Sequence, residues 1–133
     1  MMYLLDVNAL VALGFLQHEF HNRVTSWITG AKHPLLLATC SITELGFIRV
    51  LVQAPAYGFT IMQAKTLLLR LKQTEVLRFT FITDNHDLSY LPAWVKTAKQ
   101  ITDGHLAQLA RKNGAVLATL DAKIPDVFLI PHN

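Results

Sequence analysis

The chain has 133 residues, of which 52% are hydrophobic and 16% charged, and its formal net charge is +3. This length suits one domain over residues 1–133, and the hydrophobic excess predicts that some apolar surface packs in a homodimer. No stretch reaches the roughly 18 consecutive apolar residues of a membrane span, so we expect no membrane partner. The single cysteine, Cys40, excludes an internal disulfide and fits a cytoplasmic location. The positive charge permits an anionic partner such as nucleic acid but does not require one.

The predicted elements alternate between strands and helices along most of the chain. In chain order we predict a strand at 2–5, helices at 9–16 and 19–29, a strand at 35–39, helices at 41–53 and 60–73, a strand at 77–83, a turn at 84–87, a short helix at 91–95, a helix from 102 or 103 to about 112, and strands at 115–119 and 127–130. Continuous apolar strands such as 35–39 suit a sheet covered on both faces. The alternation therefore predicts an α/β fold with a central, mainly parallel sheet and right-handed crossovers.

Several polar residues are placed to cap these helices. Asn8 is the predicted N-cap of the first helix, and Thr60 that of the fourth. Ser41, with Glu44 three residues later, has the spacing of a capping box. Gly30 and Gly114 follow predicted helices at positions where glycine ends them.

Four acidic residues are candidates for a shared site. Asp6 and Asp121 follow predicted strands, whereas Glu44 and Asp103 lie in the first turns of predicted helices. Helix N-termini face the carboxyl edge of a parallel sheet, where ligands bind in open α/β folds. All four side chains can therefore converge on one edge. Taken singly, each acid also suits a structural role: a helix cap for Asp6 and Asp103, a capping box for Glu44 and a turn for Asp121.

Gathered carboxylates repel one another and raise their pKa values unless a cation lies between them. Oxygen ligands without a histidine or cysteine set suit Mg²⁺ or Mn²⁺ rather than Zn²⁺. Such a site favours phosphoryl chemistry, in which the metal orients a phosphodiester and activates water. Asn8, Ser41 and Thr119 are close in sequence to these acids, and we expect them to orient the ligands or contact the substrate.

Four stretches around these acids resemble the acidic motifs of the PIN domain family, in order, approximate spacing and context along essentially the whole chain. They are residues 6–10 (DVNAL), 41–45 (SITEL), 102–110 (TDGHLAQLA) and 119–121 (TLD). Thr119 matches the Ser or Thr that commonly precedes the last acid by two residues. The chain departs from the family at Gly104, where alanine is frequent, and at 122–125, which lack the usual aromatic residue.

The resemblance implies a three-layer α/β/α fold, and the chain length further resembles VapC-type toxins of prokaryotic toxin–antitoxin pairs. It implies an endoribonuclease that depends on Mg²⁺ (or Mn²⁺) and cleaves RNA to stop translation. A cognate antitoxin would inhibit it, and homodimers are usual in the family. Asp6, Glu44, Asp103 and Asp121 would be the metal-binding and catalytic acids.

Two other functions remain open from the sequence. One is another metal-dependent phosphoryl hydrolase, such as a haloacid-dehalogenase-type phosphatase, although that chemistry uses a second Asp where this chain has Asn8. The other is a non-catalytic PIN-like module that binds RNA or protein, against which the presence of all four acids argues. Candidate phosphate contacts are Arg23, Arg49, Lys96 and Lys99.

Overall fold

A computed structural model of the chain describes residues 1–85 and 87–132. Within these residues, five strands form one all-parallel sheet in the order β3-β2-β1-β4-β5, so the expectation of a mainly parallel sheet is confirmed. The strands and α-helices, in chain order, are β1 Met2–Leu5, α1 Val7–Gly14, α2 His21–Thr29, β2 Leu36–Thr39, α3 Ser41–Gln53, α4 Ile61–Gln73, β3 Arg78–Phe81, α5 Ile101–Lys112, β4 Ala115–Thr119 and β5 Phe128–Leu129.

The first strand is the centre of the sheet. β1 pairs with β2 on one side and with β4 on the other, so that Leu4 lies opposite both Ala38 and Leu117. Because every pair is parallel, the carboxyl ends of all strands lie at one edge. This topology places the residues after β1 and β4 next to each other although they are far apart in sequence.

Helices cover both faces of the sheet and complete the three-layer α/β/α arrangement. Leu5 faces a core formed with α1 and α3, where Leu10 and Phe47 are fully buried. Leu4, its neighbour in the strand, faces a second core formed with α5, including Leu106. Successive strand residues point to opposite faces, so a fully apolar strand supplies both cores. In the described part of the chain, no helix is both long and apolar enough to cross a membrane.

Two predicted helix caps differ from those in the structure. α1 begins at Val7, and its N-cap is Asp6 rather than Asn8, because the Asp6 carboxylate accepts the Val7 N–H. The N-cap of α3 is Cys40, whose N–H donates to Thr43 Oγ1 at 3.0 Å, so Ser41 and Glu44 form no capping box. Glu44 is therefore not engaged by the helix start. Cys40 itself is buried in the core, as a small apolar residue would be.

The segment before α5 also differs from the prediction. Residues 91–95 form a turn closed by a hydrogen bond from Val95 N to Pro92 O, not a helix, and short 3₁₀ helices stand at Leu88–Tyr90 and Ala98–Gln100. A proline ring at 92 removes one backbone donor and restricts the preceding residue, which favours a turn. The predicted turn at 84–87 includes His86, which lies outside the described residues.

This turn packs against α5 at Gly104, where the family resemblance led us to expect alanine. A Cβ added to Gly104 would lie 2.2 Å from Val95 Cγ2. The glycine thus allows close contact between the turn and the helix, at the residue next to Asp103. Its low helix propensity is offset by this packing.

Gly104→Ala is expected to lower the free energy of unfolding by about 1–2 kcal/mol, because overpacking outweighs the gain of roughly 1 kcal/mol in helix propensity. Val95→Ala removes the clashing methyl groups, so the same glycine substitution in that background should be neutral or stabilising. Urea denaturation of the two single variants and the double variant measures this coupling. Equal effects of Gly104→Ala in both backgrounds would contradict the packing explanation.

Candidate active site

Asp6 links the central strand to the first helix. Its Oδ1 accepts the Val7 N–H at 2.8 Å, and its Oδ2 accepts the Thr119 hydroxyl at 2.8 Å. Only 5% of the residue is exposed. Burial raises the pKa of Asp6, an effect that the two hydrogen bonds oppose and the nearby Asp121 carboxylate reinforces. Asp6 therefore has both a cap role and a position at the site.

Thr119 and Asn8 join the ends of β1 and β4. The buried Thr119 Oγ1, which donates to Asp6, also accepts from Asn8 Nδ2 at 3.2 Å and from Asp121 N at 3.1 Å. Asn8 Oδ1 accepts the Leu120 N–H at 3.1 Å. These bonds determine the direction of the Asp6 carboxylate and the path of the chain into Asp121. The sequence suggested Asn8 and Thr119 because each lies close to an acid along the chain. The structure brings them into one hydrogen-bond network.

Asp103, in the first turn of α5, lies near the same two aspartates. Its pKa is raised to about 6, first by desolvation and then by the negative charges of Asp6 and Asp121. No donor from the described residues forms a hydrogen bond with its carboxylate. The structure thus brings three of the four predicted acids within electrostatic reach of one another, at the carboxyl edge of the sheet.

Glu44 has different surroundings from the three aspartates. Its Oε2 accepts the buried Thr39 hydroxyl at 2.6 Å and forms an ion pair with Lys72 Nζ at 2.5 Å. Its Oε1 accepts no hydrogen bond from the residues that the structure covers. Neither partner was predicted from the sequence. Thr39 is the last residue of β2, so its position at the carboxyl edge could have been predicted from the sequence. Lys72 reaches Glu44 only because α3 packs on α4.

The remaining candidate residues differ in their exposure to solvent. Ser41 is exposed and, with Glu44, lines a cavity of about 330 Å³ between α3 and α4. Arg49, Lys96 and Lys99 are exposed and remain candidates for phosphate contact. Arg23 is not one of them, because it is buried and its guanidinium donates to the carbonyls of Ile130 and Pro131.

The three aspartates supply the hard oxygen donors that a divalent cation such as Mg²⁺ requires. Desolvation first, and then the charges of Asp6 and Asp121, raise the pKa of Asp103, and a bound cation would offset both effects. Among residues 1–85 and 87–132, no three His, Cys, Asp or Glu side chains are grouped tightly enough to ligate one ion directly. Mg²⁺ usually keeps several waters and takes one or two carboxylates, so the donor set fits a hydrated ion.

Comparison with known proteins identifies the family. The PIN domain model matches residues 3–128. Ribonuclease VapC38 of Mycobacterium tuberculosis is 37% identical over 130 residues, covering 92% of this chain and 87% of that protein. Ribonuclease VapC44 of the same organism is 36% identical over 129 residues, covering 91% and 87%. The chain therefore belongs to the PIN domain family, and its relatives are VapC ribonucleases.

Solved structures give the same fold. The crystal structure of M. tuberculosis VapC20, a Sarcin-Ricin loop cleaving toxin, superposes with a TM-score of 0.66, covering 97% of this chain and 99% of that one at 16% identity. A chain of VapBC2 from Rickettsia felis, bound to a promoter DNA fragment, superposes with a TM-score of 0.62 at full coverage of both chains and 16% identity. At this identity the two likenesses establish the fold alone.

Proposed function

We propose that the chain, acting as one PIN domain over residues 1–133, is a metal-dependent endoribonuclease and the toxin of a VapBC-like pair, which cleaves RNA phosphodiesters and so inhibits translation. The observation that carries the proposal is the convergence of Asp6, Asp103 and Asp121, with the pKa of Asp103 raised to about 6. Relatives named as ribonucleases, at 37% and 36% identity, support the reaction class.

In this proposal Asp6, Asp103 and Asp121 hold Mg²⁺ (or Mn²⁺), and Glu44 completes the acidic site from the α3 side. When bound, the ion supplies Lewis-acid polarisation of a phosphate oxygen and lowers the pKa of water. Thr119 and Asn8 orient Asp6 through the hydrogen bonds at the ends of β1 and β4. The Asp103 carboxylate, which has no hydrogen-bond donor among the described residues, can accept a proton from the attacking water. Ser41 and the exposed Arg49, Lys96 and Lys99 stand as candidate RNA contacts.

The proposed partners are an antitoxin and a second copy of the chain in a cytoplasmic complex. The VapBC2 structural neighbour supports the antitoxin. The buried free thiol of Cys40 agrees with a reducing compartment. Apolar side chains exposed on α3 and α4 support self-association; they include Leu45, Ile61, Met62 and Leu69.

We expect the purified chain to be a homodimer, since a monomer would leave these α3 and α4 side chains in water. Light scattering coupled to size exclusion, at micromolar concentration, measures the mass against 14.9 kDa for one chain. Leu45→Glu and Met62→Glu place a charge on this surface and should shift the mass towards the monomer. A monomer before any substitution would contradict the proposal.

Cleavage by the purified protein tests the enzymatic proposal. Folded tRNA, ribosomal RNA and single-stranded RNA are incubated with Mg²⁺, with Mn²⁺ and with EDTA, beside an identically prepared Asp6→Asn variant. Metal-dependent cleavage that is lost in Asp6→Asn is the expected result. Equal cleavage by both proteins would mean that the activity belongs to a contaminant or that the site is wrongly assigned. RNA binding without cleavage by either protein would favour a non-catalytic binding module, and hydrolysis of phosphomonoesters alone would favour another phosphoryl hydrolase.

A further inference from the structure

The Lys72 ammonium is the one cation of the described chain that forms an ion pair with a predicted site acid. It lies 2.5 Å from Glu44 Oε2 and 5.4 Å from the centroid of the Phe81 ring. An ion pair and a cation–π contact together hold a long side chain in one position. An isolated surface lysine has neither contact. Lys72 is therefore placed by the fold, on the last turn of α4, rather than free to sample solvent.

This ammonium also keeps donors available. An ammonium has three N–H donors, and Lys72 forms one hydrogen bond to a described residue, the bond to Glu44. Its side chain is 24% exposed, so solvent or a ligand reaches it. Glu44 and Phe81 both line the cavity of about 330 Å³ between α3 and α4, so the ammonium lies beside this opening. Phe81 is the last residue of β3, which places the opening at the same carboxyl edge of the sheet as the aspartates.

Neutralisation of Glu44 does not by itself explain this arrangement. The Thr39 hydroxyl already donates to the same Glu44 oxygen, and the carboxylate is 22% exposed, so water can solvate it. Both side chains are partly exposed, so solvent screening limits what the pair adds to stability. A positioned ammonium with two remaining donors beside a site for a polyanion is, in contrast, the usual arrangement for binding a phosphate.

We propose that Lys72, held by Glu44 and Phe81, binds a phosphate of the RNA next to the phosphate that is cleaved. This assignment rests on the proposed ribonuclease function and extends it to a binding residue. Glu44 then serves partly as the support of a phosphate-binding lysine, and the three aspartates form the main metal-binding set.

The test is RNA binding in an Asp6→Asn background, which prevents cleavage while Mg²⁺ is present. A short fluorescein-labelled single-stranded RNA is titrated at several salt concentrations and followed by fluorescence anisotropy. Lys72→Met should weaken binding about tenfold and reduce the slope of log K against log salt by about 1, the loss expected for one phosphate contact. Lys72→Arg should retain most of the affinity.

Two further variants distinguish phosphate binding by Lys72 from simple neutralisation of Glu44. Lys65→Met removes an exposed lysine of the same helix and cavity, and should change the affinity by less than about twofold. Lys72→Met combined with Glu44→Gln removes both charges of the pair and should remain weak. Recovery of affinity and salt slope in this double variant would mean that Lys72 only neutralises Glu44, and would overturn the inference. An RNA affinity of Lys72→Met equal to that of the reference protein would also overturn it.

Failure of the broader proposal would look different. If the reference protein, folded by circular dichroism, binds neither this RNA nor folded tRNA nor ribosomal RNA, the ribonuclease function itself is wrong. If the reference binds RNA but all the variants bind equally, only the assignment of Lys72 is wrong.

Discussion

Asp103→Asn should lower the rate of metal-dependent RNA cleavage by more than about a hundredfold, because even outer partners of metal ligands cost about 10–100-fold when removed. The same substitution should make the metal-free protein more stable. Asparagine nearly preserves the shape of the side chain while removing a charge that is disfavoured first by desolvation and then by the charges of Asp6 and Asp121. A shift of the pKa from 3.8 to about 6 corresponds to roughly 3 kcal/mol, which solvent screening at this partly exposed carboxylate reduces to about 1–2 kcal/mol.

The contribution of Asp103 to the stability of the metal-free protein should fall as the pH rises. The folded protein binds the Asp103 proton more tightly than the unfolded chain does, since the pKa rises on folding. Folding is therefore favoured below the unfolded value of 3.8, and that advantage is lost as the pH rises through about 6. In EDTA, the wild-type protein should lose stability between pH 5 and pH 7 relative to Asp103→Asn. Subtracting the free energy of unfolding of one protein from that of the other cancels the contributions of groups that titrate alike in both.

Thermal denaturation in EDTA and in Mg²⁺ measures both effects. We expect Asp103→Asn to raise Tm in EDTA by about 4–7 °C for a chain of this size. Mg²⁺ should stabilise the wild-type protein more than the variant, since a ligand stabilises the state that binds it. Glu75→Gln removes an exposed charge remote from the sheet edge and serves as the matched control. A variant that is less stable than the wild type in EDTA would contradict the electrostatic explanation.

Arg23→Ala is expected to lower the free energy of unfolding by about 2–4 kcal/mol, because it leaves a buried carbonyl without its donor. Arg23 Nε and Nη2 donate to Ile130 O at 3.0 and 2.5 Å, and Nε also donates to Pro131 O at 3.3 Å. Both Arg23 and Ile130 are buried. The side chain therefore attaches the segment after β5 to α2.

Arg23→Lys tests the geometry of this contact, since an ammonium cannot reproduce the planar fork of a guanidinium and should recover only part of the loss. Arg49→Ala, at an exposed position, should change stability by less than about 0.5 kcal/mol and is the control. Urea denaturation followed by circular dichroism measures all three. If Arg23→Ala were as stable as Arg49→Ala but bound RNA less well, the earlier hypothesis of a phosphate contact at Arg23 would be restored.

The parallel sheet was predictable from the sequence because apolar strands buried on both faces have a simple pattern. Leu4 and Leu5 are both apolar, and they supply opposite cores. The convergence of Asp6, Asp103 and Asp121 was predictable for a related reason, since strand ends and helix starts meet at one edge. The sequence left a choice between a cap and a site residue for Asp6; in the structure its Oδ1 caps α1 and its Oδ2 accepts the Thr119 hydroxyl.

The contacts that the sequence did not predict depend on packing between distant elements. Lys72 meets Glu44 through the packing of α4 on α3, and no local pattern in α4 distinguishes it from Lys65. Arg23 was predicted as a candidate phosphate contact, yet it is buried against Ile130. The glycine at 104 departs from the family pattern because of Val95, in a turn whose position against α5 is a tertiary property.

The hydrogen bond between Asp6 and Thr119 joins residues 113 positions apart in sequence. β1 is synthesised before β4 and lacks this neighbour until residues 115–119 have been made. Until then Asp6 has neither its orienting hydroxyl nor Asp121 beside it. A chain still being translated therefore has no complete acidic site. If the protein cleaves RNA as proposed, this order of synthesis keeps a nascent copy inactive until β4 and Asp121 have left the ribosome.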